Sequence, residues 1–407
     1  MNSQNILQQI NAEAKFIENS IGYQKTKIGT IPKDWKVKKL KDISNRVQRK
    51  NDGKSHNVLT ISSKGGFLNQ TERFSKVIAG ENLAKYILLR KNEFAYNKGN
   101  SKTYPYGCIY RLEDYEEALV PNVYYCFEIR EGVTEFYKHY FIAGKLNKFL
   151  ARVINTGVRN DGLLNLNVTD FFDVPVAAPP IKEQQKIASI LSAWDKAIEP
   201  KEKLIEQKKQ QKKGLMQKLL TGEVRLPGFY GEWEKVSFSD IFIKTKVKKH
   251  QIKTNEYLES GKYPVVDQGQ KKVTAYSNDE EKVFEVPETG VIVFGDHTRE
   301  IKFIDFDFII GADGTQVLMT KDDYDVRFYY YHLLIQKIPN TGYNRHFKFL
   351  KEMIFNKPSL KEQKAISNLL STIDKELDLL NAELSALNEQ KKGLMQLLLT
   401  GKVRVKV

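Results

Sequence analysis

Four short polar stretches carry side chains that could tell one hydrogen-bonding edge from another. The first is Asn97-Lys98-Gly99-Asn100-Ser101-Lys102-Thr103-Tyr104, where amides, hydroxyls and lysines crowd around a glycine. The others are Thr156-Gly157-Val158-Arg159-Asn160-Asp161, Asp296-His297-Thr298-Arg299 and Thr341-Gly342-Tyr343-Asn344-Arg345-His346. A guanidinium suits the acceptor pair on guanine and a carboxamide suits adenine, whereas ammonium groups mainly find phosphates. On this chemistry Lys98, Asn100, Ser101, Lys102, Tyr104, Arg159, Asn160, His297, Arg299, Asn344 and Arg345 are candidates for contact with DNA. Blander readings stand beside these: a polar hairpin turn for the first stretch, and a histidine that satisfies a neighbouring carboxylate for His297. The second and fourth stretches both begin within an Asn-Thr-Gly, at 155–157 and 340–342, which favours one role for both.

The elements that must carry these stretches are announced by a repeat. Residues 181–226 and 360–405 align without a gap at an offset of 179, with 21 of 46 positions identical. The sharpest block, Lys-Lys-Gly-Leu-Met-Gln-x-Leu-Leu-Thr-Gly-x-Val-Arg, occupies 212–225 and 391–404. Ile366, Leu370, Ile373, Leu377, Leu380, Leu384 and Leu387 step by four and three, the rhythm of a coiled-coil seam. The first copy keeps that register through Ile187, Leu191, Trp194, Ile198, Lys201, Ile205, Lys208, Lys212, Leu215 and Leu219, although Pro200 is expected to kink or break it. Each helix should end at Thr-Gly, and about 38 helical residues span about 57 Å. The expected arrangement is an antiparallel pair acting as a spacer, with two surface helices on separate domains as the alternative. A sequence present twice cannot read two different targets. Gly214, Leu215, Met216, Leu219, Gly393, Leu394, Met395 and Leu398 are therefore assigned to partner binding or helix packing. A close helix approach would account for Gly214 and Gly393, which each cost a helix roughly 1 kcal/mol. The run Lys208–Lys213 reads as a solvated face rather than a DNA site.

A second repeat, at an offset of 198, pairs Asp34-Trp35, Leu40 and Asp42-Ile43 with Glu232-Trp233, Phe238 and Asp240-Ile241. The order is opening motif, variable segment and long helix, twice over. The variable segments read as mixed α/β. Strand signals lie at 107–111, 123–129, 291–294 and 302–310, and helical ones at Glu135–Leu150 and Arg327–Gln336. The fold class expected is α+β: two α/β domains separated by two long antiparallel coiled-coil helices in a pseudo-twofold internal repeat. The divisions are a helical extension over 1–28 (Ile6, Leu7, Ile10, Phe16 and Ile17 on one face), domains over 29–180 and 226–359, and helices over 181–225 and 360–407.

Composition narrows the partner. With 65 Lys and Arg against 50 Asp and Glu, the formal charge is +15, which favours a polyanion, nucleic acid before membrane. No apolar run long enough for a membrane span and no secretory pattern is seen, so a cytoplasmic location is expected. Cys108 and Cys126 lack metal-ligand spacing and read as buried thiols; the six histidines include no metal-binding helical pair, and no metal is expected. There is no phosphate loop and no Asn-Pro-Pro-aromatic run, and Glu280-x-Lys282 lacks the upstream Pro-Asp of a nuclease triad.

Several motifs resemble the specificity subunit of type I restriction-modification systems. They are Lys27-Ile-Gly-Thr-Ile-Pro-Lys-Asp-Trp35, the Pro-x-x-x-Glu-Gln helix starts at 179–184 and 358–363, the Gly-Leu-Met-Gln…Leu-Leu-Thr-Gly helix ends, 94–101 and 294–299. The likeness runs from about residue 20 to the end. It implies two target-recognition domains held apart on antiparallel helices, each reading half of a gapped, asymmetric site in double-stranded DNA. It implies no catalytic centre and no cofactor in this chain. The partners would be two methyltransferase subunits, which use S-adenosylmethionine to methylate adenine N6. Restriction subunits using ATP and magnesium would join where the system has them. Half-sites one helical turn apart lie about 34–36 Å from centre to centre, within reach of the spacer. The alternative is a coiled-coil adaptor with two protein-binding heads that ignores DNA.

Overall fold

The computed structural model describes residues 16–17, 22–62, 66–70, 80–99, 104–154, 163–311, 313–342 and 344–407. The chain is mixed α/β and divides into two compact units, residues 1–202 with 383–407 and residues 203–382.

In the first unit a hairpin, Tyr23–Thr26 with Gly29–Pro32, leads into the strand Lys36–Lys39, which pairs with Pro175–Ala178. A four-stranded antiparallel sheet runs in the order Cys108–Arg111, Phe94–Asn97, Tyr125–Ile129, Ser44–Val47. A second sheet joins Asn57–Ile61 in parallel to Glu117–Val120, which also pairs antiparallel with Ile87–Arg90. The central strands are apolar on both faces because both are covered: Phe94 stacks on Phe127 at 5.3 Å, and Phe141 meets both rings edge-on. Helices α1 (Thr134–Ile142) and α2 (Asn147–Val153) fall where one helical stretch was expected; Gly144, at φ +64°, ends the first turn run and starts the second.

The second unit repeats this plan with other residues. Glu234–Ser237 pairs with Ile354–Lys357. Ile301–Ile304, Val291–Gly295, Thr315–Thr320 and Phe242–Lys244 form the first sheet in the same order. Tyr263–Val266 runs parallel to Phe308–Gly311 in the second. The stretch 302–310, expected as one strand, is thus two strands in different sheets, parted at Asp305–Asp307, where charged residues break the apolar run.

The long helices are α3 (Ile181–Thr221) and α5 (Leu360–Leu398); α4 (Val326–Ile335) packs on the second unit's first sheet. Pro200 does not break α3. It sits on an exposed face, where water can take the carbonyl that loses its partner. Each unit draws on both long helices. In the first, Lys391 pairs with Asp195 and Lys201 with Glu383; in the second, Lys208 pairs with Glu376 at 2.7 Å and Lys212 with Asp374. As one number rises the other falls, so the segments run antiparallel within each unit. The seam lysines are therefore ion-pair partners across the helices, not an open basic face. Gly222 and Gly401, at φ +78° and +68°, lie just past the helix ends, as expected of Thr-Gly.

Two further expectations fail. Phe16–Ile17 is not helical but pairs as a short strand with Arg404–Val405, and 22–28 belongs to the hairpin; Ile6, Leu7 and Ile10 lie outside the described residues. A Cβ placed on Gly214 or Gly393 would meet nothing within 4 Å, so among the described residues no close helix approach explains them.

Candidate functional site

Each unit is pinned by a buried carboxylate at the start of one long helix. Glu183 is 1% exposed; it accepts hydrogen bonds from Trp35 Nε1 at 2.9 Å and from Arg404 Nε and Nη2 at 2.7 and 2.9 Å. Glu362, also 1% exposed, accepts from Trp233 Nε1 at 3.1 Å and from Arg225 Nε and Nη2 at 2.6 Å each. Under the 179-residue repeat Glu183 corresponds to Glu362 and Arg225 to Arg404, so each glutamate is gripped by the arginine of the other copy. The neighbouring glutamines act alike. Gln184 donates to Pro179 O and accepts from Val133 N, while Gln363 donates to Pro358 O and accepts from Asp325 N, all at 2.8 Å. Reading the sequence alone picks out Glu-Gln as a motif but gives it no task.

In the first unit the second candidate stretch, 156–161, lies outside the described residues, and the segment just after it meets the first. Lys98 O accepts from Leu164 N at 2.8 Å, and Gly99 bridges Leu163, so the two segments border one another at the tip of the central strand Phe94–Asn97. Asn100, Ser101, Lys102, Arg159 and Asn160 lie outside the described residues. The Lys98 ammonium sits 5.0 Å from the Tyr125 ring centroid, and the Tyr104 and Tyr110 hydroxyls share a hydrogen bond of 2.7 Å.

The second unit makes the same junction. Asp296 O accepts from His346 N at 2.8 Å, and Asp296 Oδ1 from Phe347 N at 2.7 Å. The stretches at 296–299 and 344–346 therefore meet at the tip of Val291–Gly295, the counterpart of Phe94–Asn97. His346 is fully buried, its Nδ1 2.9 Å from Asp296 O, and holds the loop from below; Asn344 and Arg345 beside it are exposed. Arg299 adopts φ +65° and donates to Ile338 O at 3.3 Å, while His297 N donates to Gln268 Oε1 at 3.2 Å. Arg345 lines a groove of about 540 Å³ with Lys246, Lys248, Gln251 and Gln316. Lys246 and Lys248 are absent from the sequence candidates, though the run Lys244–His250 signals them. A groove offering guanidinium, carboxamide and ammonium groups can pair with base edges and phosphates together.

The repeated helix ends pack inward. Met216 and Leu219 enter the core of the second unit with Phe238 and Phe328, and Met395 and Leu398 that of the first; Leu215 and Leu394 are partly buried against the same cores. Gly214 and Gly393, by contrast, each have open space where a Cβ would stand. Among the described residues one group has metal-ligand spacing, Asp52, His56 and Glu117. Within it Asp52 pairs with His56 at 2.8 Å, and Glu117 also pairs with Arg90 at 3.0 Å. Cys126 is buried, and burial pushes the half-buried Cys108 thiol up to about 12. No helix among the described residues is long and apolar enough to cross a membrane.

Comparison with known proteins agrees with this architecture. A type I restriction-modification specificity subunit of Methanocaldococcus jannaschii described as MjaX is 26% identical over 94% of this chain and 97% of its own length. The MjaVIII specificity subunit of the same organism is 26% identical over 62% of this chain and 68% of its own. The crystal structure of a type I system S subunit from M. genitalium superposes with a TM-score of 0.62 at 16% identity, covering 94% of this chain and 97% of that one, and so shares the fold. The model of the type I restriction modification DNA specificity domain matches twice, at residues 32–210 and 230–389, and the chain belongs to that family.

Proposed function

We propose that the chain is the DNA-binding specificity subunit of a type I restriction-modification complex. Domains over 29–180 and 226–359 each read half of a gapped, asymmetric site. The segments 181–225 and 360–407, through their helices α3 and α5, act as an antiparallel coiled-coil spacer and recruit two adenine-N6 methyltransferase subunits and, through them, restriction subunits. The observation that carries this reading is the junction made twice: in each domain a polar hairpin tip is tied to the segment after Asn-Thr-Gly, with different side chains on one topology. Two readers of one design with unlike residues suit two unlike half-sites. The exchanged pairs Lys212–Asp374 with Lys391–Asp195, and Arg225–Glu362 with Arg404–Glu183, support a pseudo-twofold frame that offers two identical partners equivalent surfaces. Met216, Leu219, Met395 and Leu398 serve helix packing, and the open faces at Gly214 and Gly393 are left for the partners. Chemistry belongs to those subunits, with S-adenosylmethionine for methylation and ATP with magnesium for restriction.

A map of N6-methyladenine with and without the gene tests this. Loss of one gapped motif on deletion is expected; an unchanged map in cells making the complex rejects it. On the mapped site, Arg345→Ala should relax discrimination at one base pair by ~1–3 kcal/mol, and Lys246→Gln should weaken all sequences alike. Unchanged base preference in Arg345→Ala would remove Arg345 from the reading set.

A further inference from the structure

A cluster of positive charge lies away from the candidate reading loops, on the opening hairpin of the first unit and the strand after it. Lys25, Lys27, Lys33, Lys36, Lys38 and Lys39 line a groove of about 910 Å³, floored by the buried Trp35. The backbone beneath them is rigidly held: Gln24 Nε2 donates to the carbonyls of Pro32, Lys33 and Trp35 at 3.3, 3.1 and 3.0 Å. Nearby acids already have partners. Asp34 is bound by Arg404, Asp42 accepts from Lys39 N, and Asp173 pairs with Lys39 and Lys41. Lys38 has Glu131. Among the described residues, exposed Lys25, Lys27, Lys33 and Lys36 have no carboxylate at ion-pair distance. Like charges gathered without counter-ions repel one another, and a polyanionic ligand relieves that.

The second unit lacks this feature. At the offset of 198 these six lysines correspond to Glu223, Arg225, Gly231, Glu234, Val236 and Ser237, and Arg225 is committed to Glu362. Two identical protein partners would need the patch twice. A ligand that passes the two units unequally needs it once, as DNA flanking an asymmetric site does. We infer that this groove is a sequence-blind docking track for the phosphates of duplex DNA beyond the recognised half-site. The inference rests on the specificity reading above for the identity of the polyanion.

The test is binding of the full chain to a long random-sequence duplex across a salt series, with Lys25→Gln, Lys27→Gln, Lys33→Gln and Lys36→Gln combined. The slope of log affinity against log salt should fall by about 0.9 for each phosphate no longer neutralised, so by roughly 2–4 in all. Base preference on the mapped site should stay unchanged. The pairs Lys25→Gln with Lys27→Gln, and Lys33→Gln with Lys36→Gln, should each give about half that drop, a graded response that misfolding would not produce. Affinity and slope equal to the parent's would overturn the proposal. Should that variant instead lose a protein subunit on co-purification, the occupant is an acidic protein face and the proposal fails. Failure of the specificity reading looks different: the parent chain would show no preference for the mapped site, whatever the lysines do.

Discussion

The two units solve one packing problem with the same few residues and one recognition problem with different ones. At the start of each long helix, Glu-Gln, a tryptophan and the arginine of the other copy recur with the same bonds to the glutamate, though Arg404 also holds Asp34 where Arg225 takes Gly231 O. At the tip of each central strand only the backbone junction recurs, while Lys98 and Tyr104 in one unit give way to His297 and Arg299 in the other. An intermediate case lies on α1 and α4. His139 and Tyr331 sit six residues beyond Val133 and Asp325, whose N–H groups bond Gln184 and Gln363. Both face the aspartate that pairs with a seam lysine. Tyr331 donates to Asp374 at 2.6 Å, whereas His139 Nδ1 stands 3.9 Å from Asp195. Contacts that build the frame tolerate little change because a buried charge without its partner is costly. A loop tip open to solvent can change freely.

The largest effect should come from breaking the clamp. Glu183→Ala takes one of two carboxylates from Arg404, whose side chain is 9% exposed and keeps Asp34, and leaves the buried Trp35 N–H without its acceptor; it should cost ~2–4 kcal/mol in urea unfolding. Glu362→Ala should cost less, ~1–3 kcal/mol, because Arg225 is 24% exposed and water can replace part of what it loses. Equal costs would show that the two clamps are not graded by burial. A middling effect concerns pH. Burial holds the His139 imidazole down at about 4, among Asp195, Glu135, Lys138 and Lys391. Between about 6.5 and 4 the unfolded chain therefore binds the proton that the folded one refuses, so stability falls as pH drops through that window, by up to ~3 kcal/mol. His139→Tyr, which installs the other unit's residue, should flatten the decline in a pH series of urea midpoints; an unaltered profile would separate the two positions. His332, held down at about 4 by burial, leaves a like decline in the second unit. The smallest effect tests the open glycines. Gly214→Ala and Gly393→Ala should each stabilise the chain by ~0.5–1 kcal/mol, since each helix has room for the methyl. Reduced capture of a methyltransferase subunit by the same variants would place the partner on those faces, and destabilisation would contradict the open geometry.

Much of this was legible from the residues. The heptad steps of 366–387 placed α5, and the Thr-Gly pairs placed the helix ends. The errors share a cause, which is that local pattern carries no information about what lies opposite. The apolar run 302–310 looks like one strand until its two halves enter different sheets. Pro200 looks like a break until its exposed face lets water take up the freed carbonyl.

By itself the sequence determined that one frame is used twice around two unlike inserts, because identity at a fixed offset survives any ignorance of the fold. Only the tertiary structure decided that each helix end serves the unit built on the other copy, with Met216 packed beside Phe328 and Arg404 on Glu183. That pairing depends on antiparallel helices bringing residues more than a hundred positions apart into contact. Burial then makes each such partner indispensable, and chain order carries no record of it.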